Sequence, residues 1–176
     1  FVGSTAHPGG AYINRAHYLR TGGSRLILKK MALDFNDLDT SWTLFLDRDG
    51  VINKEKPGDY IYNWDSFVFY EDALPALKEF TKWFGKIFII TNQRGVGKGL
   101  MSEADLQDIH AHLLEAVEAT GGRIDGIYYC TDAENGGPRR KPNPGMAMEA
   151  KLDFPEIDFT KSIMLGNRIS DMEFGK

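Results

Sequence analysis

Cysteine is almost absent from this 176-residue chain, where Cys130 stands alone. A single thiol excludes an internal disulfide framework and a multi-cysteine zinc site within one chain, and we expect a reducing, cytoplasmic setting. No apolar run approaches the ~20 residues of a membrane-spanning helix, so we expect no membrane partner. Basic residues are the minority, 21 Lys and Arg against 25 Asp and Glu. A nucleic-acid partner is therefore not favoured, because nucleic acids are bound by basic surfaces.

Acidic residues are missing from residues 1–33, which carry five Lys and Arg and are rich in Gly, Ser and Thr. We treat residues 1–40 as an N-terminal extension of unknown role and residues 41–176 as one domain. A chain of this length with 42% hydrophobic residues can bury one well-packed core. The chain stops at Lys176, before the last predicted helix is complete, so we expect the domain to be C-terminally incomplete. We expect a monomer or a weak oligomer.

From Trp42 onward, short apolar runs alternate with longer amphipathic stretches. This alternation is typical of βαβ units and predicts an α/β fold with a parallel sheet. The predicted strands are residues 44–46, 87–90, 124–130 and 162–165. The predicted helices are residues 73–84, 102–120 and 144–152, with another beginning near residue 170. The second of these helices has the clearest start, because Ser102 and Asp105 have the spacing of a capping box.

Two carboxylates, Asp47 and Asp49, follow directly after the first predicted strand. Side chains alternate in extended chain, so both acids can face one side while Arg48 faces the other. Such a pair requires a cation between the carboxylates or a retained proton, and both situations occur in catalytic sites. A solvated turn stays open as an alternative, because Asp and Gly are common turn residues. A calcium-binding loop is a weaker alternative than the turn, because Val51 and Ile52 stand where a metal ligand and a glycine are needed.

Polar side chains also follow the other three predicted strands. In an open parallel sheet the carboxyl ends of the strands meet at one edge, where ligands bind. The polar groups therefore converge at one place by topology, and the cations among them suit a phosphate. They are Thr91 and Asn92 after the second strand, Arg140 and Lys141 after the third, and Asn167 and Asp171 after the fourth.

A glycine-rich stretch and a pair of histidines match no known ligand-binding pattern. Residues 94–99 are glycine-rich but match neither a P-loop nor the dinucleotide fingerprint, so we predict a flexible loop near an anion. His110 and His112 are two positions apart on the second predicted helix and point to different faces. They cannot bind one metal as an i, i+4 pair could, and we predict that both are solvated surface histidines.

Four motifs at these strand ends resemble those of the haloacid dehalogenase superfamily of phosphohydrolases. The resemblance is to its capless branch, which contains heptose bisphosphate and histidinol-phosphate phosphatases. It implies a Rossmann-like doubly wound sheet without a cap domain, and it implies nothing about residues 1–40. The motifs are residues 46–53, 91–99, 140–146 and 166–172.

The resemblance also implies roles for residues. Asp47 is the expected nucleophile, which forms an aspartyl-phosphate, and Asp49 is the expected general acid and base. The expected Mg²⁺ ligands are Asp47, the Asp49 backbone carbonyl, Asn167 and Asp171. The expected phosphate-binding residues are Thr91, Asn92, Arg140 and Lys141.

Two features depart from the family pattern. Asn167 stands where the family usually places an aspartate, and a neutral ligand should weaken Mg²⁺ binding unless Asp171 compensates. The loop at residues 131–138 lacks the family's cysteine and histidine zinc ligands and has only Cys130 at its edge. We therefore expect no zinc.

The expected substrate is a small phosphorylated metabolite, first D-glycero-D-manno-heptose 1,7-bisphosphate and then histidinol phosphate. Glu55, Lys56 and Tyr60 form the candidate substrate loop, although an ordinary surface loop is equally open. A polynucleotide 3'-phosphatase shares related motifs but is disfavoured by the acidic domain. The remaining alternative is a binding module with impaired catalysis, motivated by Asn167.

Overall fold

The computed structural model of the chain describes residues 16–18 and 38–176. Within these residues one sheet has five strands, all parallel. The strands are β1 (Ala16–Tyr18), β2 (Thr43–Leu46), β3 (Lys86–Asn92), β4 (Gly126–Cys130) and β5 (Ser162–Gly166). Their order across the sheet is β1-β5-β2-β3-β4. The predicted α/β class and its four strands are confirmed.

The centre of the sheet is apolar on both faces. Phe45 of β2 pairs in register with Phe88 of β3 and with Met164 of β5, and all three side chains are buried. Continuous burial is expected of a parallel strand that is covered on both sides by helices. β3 extends further than predicted, through Asn92, because its ladder with β4 continues to the pair Asn92 and Cys130.

Five α-helices connect and cover the described strands: α1 (Ala73–Trp83), α2 (Arg94–Gly97), α3 (Glu103–Ala119), α4 (Gly145–Asp153) and α5 (Ile169–Phe174). The predicted capping box is present at the start of α3, where Ser102 accepts from the Asp105 backbone N–H and the Asp105 carboxylate accepts from the Ser102 backbone N–H. The prediction of a loop at residues 94–99 is wrong for residues 94–97, because α2 begins one residue after β3 ends.

The sheet divides the core into two layers. One layer includes Leu77 of α1 and Leu106 of α3, packed against Ile89 of β3. The other includes Met146 and Ala150 of α4 with Phe174 of α5. Between β2 and α1 the described chain contains one short 3₁₀ helix, Trp64–Ser66, and no inserted cap domain. The carboxyl ends of the strands are therefore left open to a ligand.

Part of the N-terminal extension joins the sheet. β1 pairs with β5 in the register Ala16 to Met164 and Tyr18 to Gly166, so it covers the outer edge of β5. The remainder of residues 1–37 lies outside the described residues, and the role of the extension stays open. In the part of the chain that the structure covers, no helix combines the length and the apolar character needed to cross a bilayer.

Candidate active site

A cavity of about 350 Å³ lies at the carboxyl ends of β2, β3, β4 and β5. Every residue predicted from the strand ends and the substrate loop lines it, except Asn167. The predicted lining residues are Asp47, Asp49, Glu55, Lys56, Tyr60, Thr91, Asn92, Arg140, Lys141 and Asp171. Topology therefore brings together residues that are far apart in the chain, as expected for an open parallel sheet.

Asp47 lies at the floor of the cavity and is 6% exposed. Its Oδ1 accepts a hydrogen bond from the Arg48 backbone N–H at 2.8 Å and lies 3.0 Å from Lys141 Nζ. Burial raises the pKa of the Asp47 carboxyl to about 6, with Asp171 and Asp49 adding to the rise and Lys141 opposing it. Lys141 thus favours the ionised form that a nucleophile requires.

Lys141 bridges two buried carboxylates. Its Nζ lies 2.7 Å from Asp171 Oδ1, and the other Asp171 oxygen accepts from the Arg168 backbone N–H at 2.9 Å. Both carboxylate oxygens of Asp171 therefore have protein partners. This arrangement places Asp171 as the residue that holds Lys141 beside Asp47, and its predicted role as a metal ligand stays a prediction.

Asn92 holds the backbone of Lys141. Its Nδ2 donates to the Lys141 carbonyl at 3.1 Å, and its Oδ1 accepts from the Lys141 N–H at 3.1 Å. This reciprocal pair connects the end of β3 to the loop after β4. The Asn92 side chain is thus occupied in positioning Lys141, and its direct contact with phosphate stays a prediction.

Arg48 does not face away from Asp49, so that part of the sequence prediction is wrong. The Arg48 side chain is fully buried, and its Nη2 lies 3.0 Å from both carboxylate oxygens of Asp49. A buried guanidinium requires a counter-charge, and Asp49 is the adjacent one. Asn53 and Gln93 also donate to Asp49, each at 2.9 Å.

These donors set the charge of Asp49. Burial by itself raises the pKa of the Asp49 carboxyl, but Arg48 and the hydrogen bonds from Asn53 and Gln93 outweigh it and hold the pKa below its ordinary value. Asp49 is therefore ionised at neutral pH in this arrangement. In this state it can accept a proton but has none to donate.

His110 is buried and not solvated, which corrects the prediction for this residue. It is 4% exposed, and its Nε2 lies 3.2 Å from Arg48 Nη1. Burial, followed by the charge of Arg48, lowers the pKa of His110 to about 3. Helical spacing could have predicted this burial, since His110 falls on the same helix face as Leu106 and Leu113. His112 does lie at the surface, with 42% of its side chain exposed.

Gln93 is a site residue that the sequence analysis missed. Its Nε2 donates to Thr91 Oγ1 at 2.9 Å and to Asp49, while its Oε1 accepts from Arg48 at 3.1 Å. Gln93 thereby connects a predicted phosphate-binding hydroxyl to the predicted acid–base carboxylate. Its position directly after two predicted site residues, Thr91 and Asn92, was the available signal.

Cations surround the mouth of the cavity. Arg140 donates to Asn135 Oδ1 at 3.3 Å and to the Asp132 carbonyl at 2.9 Å. Arg94 of α2 contacts the same Asn135 oxygen and also lines the cavity, although the sequence analysis missed it. The lining residues that the structure describes include five cations: Lys56, Arg94, Arg140, Lys141 and Arg168. The same lining includes five carboxylates, so the cations offer an anion local contacts without a net positive charge.

The candidate substrate loop is tied to the loop after β5. Glu55 accepts from Asn167 Nδ2 at 3.3 Å and from Arg168 Nη2 at 2.9 Å. Lys56 Nζ lies 5.9 Å from the centre of the Tyr62 ring. Loop residues therefore form one wall of the cavity and are not a detached surface turn.

Oxygen donors that follow β2 and β5 at this edge of the sheet fit a magnesium ion. Asn167 Oδ1 is buried and has no hydrogen-bond partner among the described residues. Gly50, at φ +87°, packs so closely on Asn167 that an added Cβ would lie 1.9 Å from Nδ2. In residues 38–176 no three His, Cys, Asp or Glu side chains are grouped so that they alone could hold a metal ion. Mg²⁺ commonly takes one or two carboxylates and completes its shell with water and substrate phosphate, so the donors present are sufficient.

Comparisons with known proteins agree with this geometry. The family described as polynucleotide kinase 3 phosphatase matches residues 32–171. D-glycero-alpha-D-manno-heptose-1,7-bisphosphate 7-phosphatase from Mycobacterium bovis is 42% identical over 134 residues, which are 75% of this chain and 70% of that protein. The D-glycero-beta-D-manno-heptose-1,7-bisphosphate 7-phosphatase of Escherichia coli K12 is 32% identical over 138 residues, covering 74% of this chain and 71% of that protein.

Solved structures are also similar. A D,D-heptose 1,7-bisphosphate phosphatase from B. bronchiseptica, complexed with magnesium and phosphate, aligns with a TM-score of 0.60 at 29% identity, over 65% of this chain. The match spans 64% of the length of that structure. A HAD-like phosphatase from Mesorhizobium loti aligns with a TM-score of 0.66 at 29% identity, over 76% of this chain and 66% of that one. The chain belongs to the polynucleotide kinase 3 phosphatase family, within the haloacid dehalogenase superfamily of phosphatases.

Proposed function

We propose that the protein is a Mg²⁺-dependent phosphatase that removes the 7-phosphate of D-glycero-alpha-D-manno-heptose 1,7-bisphosphate. The observation that carries the proposal is the buried Asp47 held at 3.0 Å from Lys141 at the floor of an open cavity. An ionised carboxylate beside a fixed cation suits nucleophilic attack on a phosphoryl group.

The reaction proceeds in two displacements on this proposal. A carboxylate oxygen of Asp47 attacks the phosphorus, the bond from phosphorus to the sugar oxygen breaks, and Asp49 gives a proton to the departing alkoxide. Because Asp49 is ionised in the observed arrangement, it must take up a proton before this first step. Water then attacks the phosphorus of the aspartyl-phosphate, Asp49 accepts the proton of that water, and phosphate and free Asp47 are released.

Lys141 and Thr91 hold the phosphoryl oxygens during both steps. Lys141 offers charge beside Asp47, and Thr91 Oγ1 is fixed by Gln93. Asp47, the Asp49 backbone carbonyl and Asn167 would hold Mg²⁺, which would offset the charge repulsion between the phosphoryl group and the nucleophile. The unpartnered Oδ1 of Asn167 supports this ligand set.

The rim supports a substrate with two phosphates. Arg94 and Arg140 both line the cavity and share a contact with the Asn135 side chain. Guanidinium groups bind phosphate oxygens in pairs. The names of the relatives support the alpha anomer, since the alpha-specific enzyme of Mycobacterium bovis is 42% identical and the beta-specific enzyme of Escherichia coli 32%.

The test is phosphate release from the alpha and beta heptose 1,7-bisphosphates, histidinol phosphate and a 3'-phosphorylated oligonucleotide, with and without Mg²⁺. We expect Mg²⁺-dependent turnover that is fastest on the alpha heptose bisphosphate and absent in Asp47→Asn. Faster turnover of histidinol phosphate or the oligonucleotide would move the substrate to that class. No turnover of any substrate by folded protein would favour the binding module.

A further inference from the structure

We propose that His110 is a positioning residue for the phosphatase reaction, which orients Asp49 by holding the guanidinium of Arg48. This inference rests on the proposed role of Asp49 as general acid and base. His110 lies on α3 and is not among the residues that line the cavity. Any effect it has on the reaction is therefore exerted through Arg48.

The contacts form a short chain from α3 to the site. His110 Nε2 lies 3.2 Å from Arg48 Nη1, and Arg48 Nη2 lies 3.0 Å from each oxygen of Asp49. Arg48 Nε lies a further 3.2 Å from Asp49 Oδ1. The guanidinium is thus fixed at both of its ends, by a histidine on one side and by a carboxylate on the other.

The direction of the hydrogen bond follows from the chemistry of arginine. A guanidinium has five N–H donors and no acceptor. Nε2 of His110 must therefore be the acceptor, which places the ring proton on Nδ1. Because Arg48 is fully buried, loss of this acceptor leaves a buried N–H without a partner. The guanidinium would then turn to find another partner.

Two aromatic rings restrict that movement in the native protein. Arg48 Cζ lies 5.9 Å from the centre of the Phe67 ring. The His110 ring centre lies 5.5 Å from that of Tyr129. Both members of the pair are therefore packed in one orientation. A carboxylate that receives several N–H donors from one guanidinium is held in a defined plane, and a small misplacement of a proton-transfer group lowers the rate.

The experiment compares two substrates in each variant. An alkyl phosphate, such as the heptose bisphosphate, has an alkoxide leaving group that needs a proton. The p-nitrophenolate of p-nitrophenyl phosphate departs without one. We expect His110→Leu to lower kcat/KM, which reports the steps up to departure of the leaving group, about tenfold more on the alkyl substrate than on the aryl substrate. His110→Gln should restore most of the wild-type ratio between the two substrates, because its Oε1 can accept a hydrogen bond from Arg48 in place of Nε2. His112→Leu, two positions away on α3, should leave the ratio unchanged.

Asp49→Asn in the same assay separates the two hypotheses. We expect it to lower kcat/KM on the alkyl substrate by ~10²-fold or more, with a smaller loss on the aryl substrate. The value of kcat should fall on both substrates, because Asp49 also accepts the proton of the hydrolytic water. Absence of this selectivity in Asp49→Asn would overturn the proposed role of Asp49. Selectivity in Asp49→Asn without selectivity in His110→Leu would overturn the positioning role of His110 alone.

A folding control keeps the test decisive. The ratio of the two substrates is measured on one sample, so loss of folded protein cancels. Should His110→Leu not fold, His110→Asn replaces it, because its amide oxygen occupies the Nδ1 position and cannot reach Arg48. We expect His110→Asn to lower activity selectively on the alkyl substrate, as His110→Leu does. An unchanged ratio between the two substrates would contradict the inference.

Discussion

Lys141 and Asp171 form an ion pair of 2.7 Å between Nζ and Oδ1, and each side chain is only 2% exposed. Two residues thirty positions apart are thus paired in the interior directly behind the proposed nucleophile. A buried charge requires such a partner, and removal of one member of a buried pair is costly.

Asp171→Asn removes the charge but keeps the shape. Lys141 keeps Asp47 as a second partner, so we expect a loss of ~1–3 kcal/mol in the free energy of unfolding. Activity should fall as well, because Lys141 is no longer held between two carboxylates. Urea denaturation gives the first quantity and phosphate release the second. Glu118→Gln, an exposed change on α3, is the control and should alter stability by less than ~0.5 kcal/mol.

Lys141→Ala should lower kcat by ~10²-fold or more, because a fixed charge on the phosphoryl oxygens is lost. It should also shift the acid limb of the pH–rate profile upward, since Lys141 opposes the rise in the pKa of Asp47. The profile is measured from pH 5 to 9. Arg139→Ala, on the same loop but outside the cavity lining, should keep the native profile. An unshifted limb in Lys141→Ala would contradict the assigned contact with Asp47.

His110 should make the protein less stable as the pH falls. Its pKa is about 3 in the folded chain and near 6.5 in the unfolded chain, so between these values the unfolded state binds more protons. Stability attributable to His110 is complete above pH 6.5 and is lost at up to ~1.4 kcal/mol per pH unit below it. Denaturation of wild type and His110→Gln at pH 7.5, 6 and 5 gives the difference. Parallel curves for the two proteins would contradict the burial of His110.

Asn167→Asp should strengthen Mg²⁺ binding, because an added negative charge replaces a neutral oxygen ligand. We expect the Mg²⁺ concentration for half-maximal activity to fall several-fold, and isothermal titration to show the same direction. The change also removes the donor to Glu55, so substrate KM should rise. Asn167→Ala is the opposing variant and should weaken Mg²⁺ binding. Equal affinity in all three proteins would remove Asn167 from the ligand set.

The chain order of strands and site residues could be read from local pattern. Apolar runs predicted the four strands from β2 to β5, and polar residues at their ends predicted the cavity lining, since parallel strands end at one edge. The start of α3 was predicted to the residue, because a capping box involves only Ser102 and Asp105. Each of these features depends on neighbours in the chain.

Tertiary structure alone decided which polar groups became partners. Arg48 pairs with Asp49 and contacts the buried His110. A buried guanidinium requires a counter-charge and a hydrogen-bond acceptor, wherever in the chain they lie. Asn92 was drawn to the Lys141 backbone for a similar reason, since groups buried between two loops satisfy one another. The sequence by itself determined the fold class and most members of the site, whereas the packed interior determined their hydrogen bonds, charges and exposure.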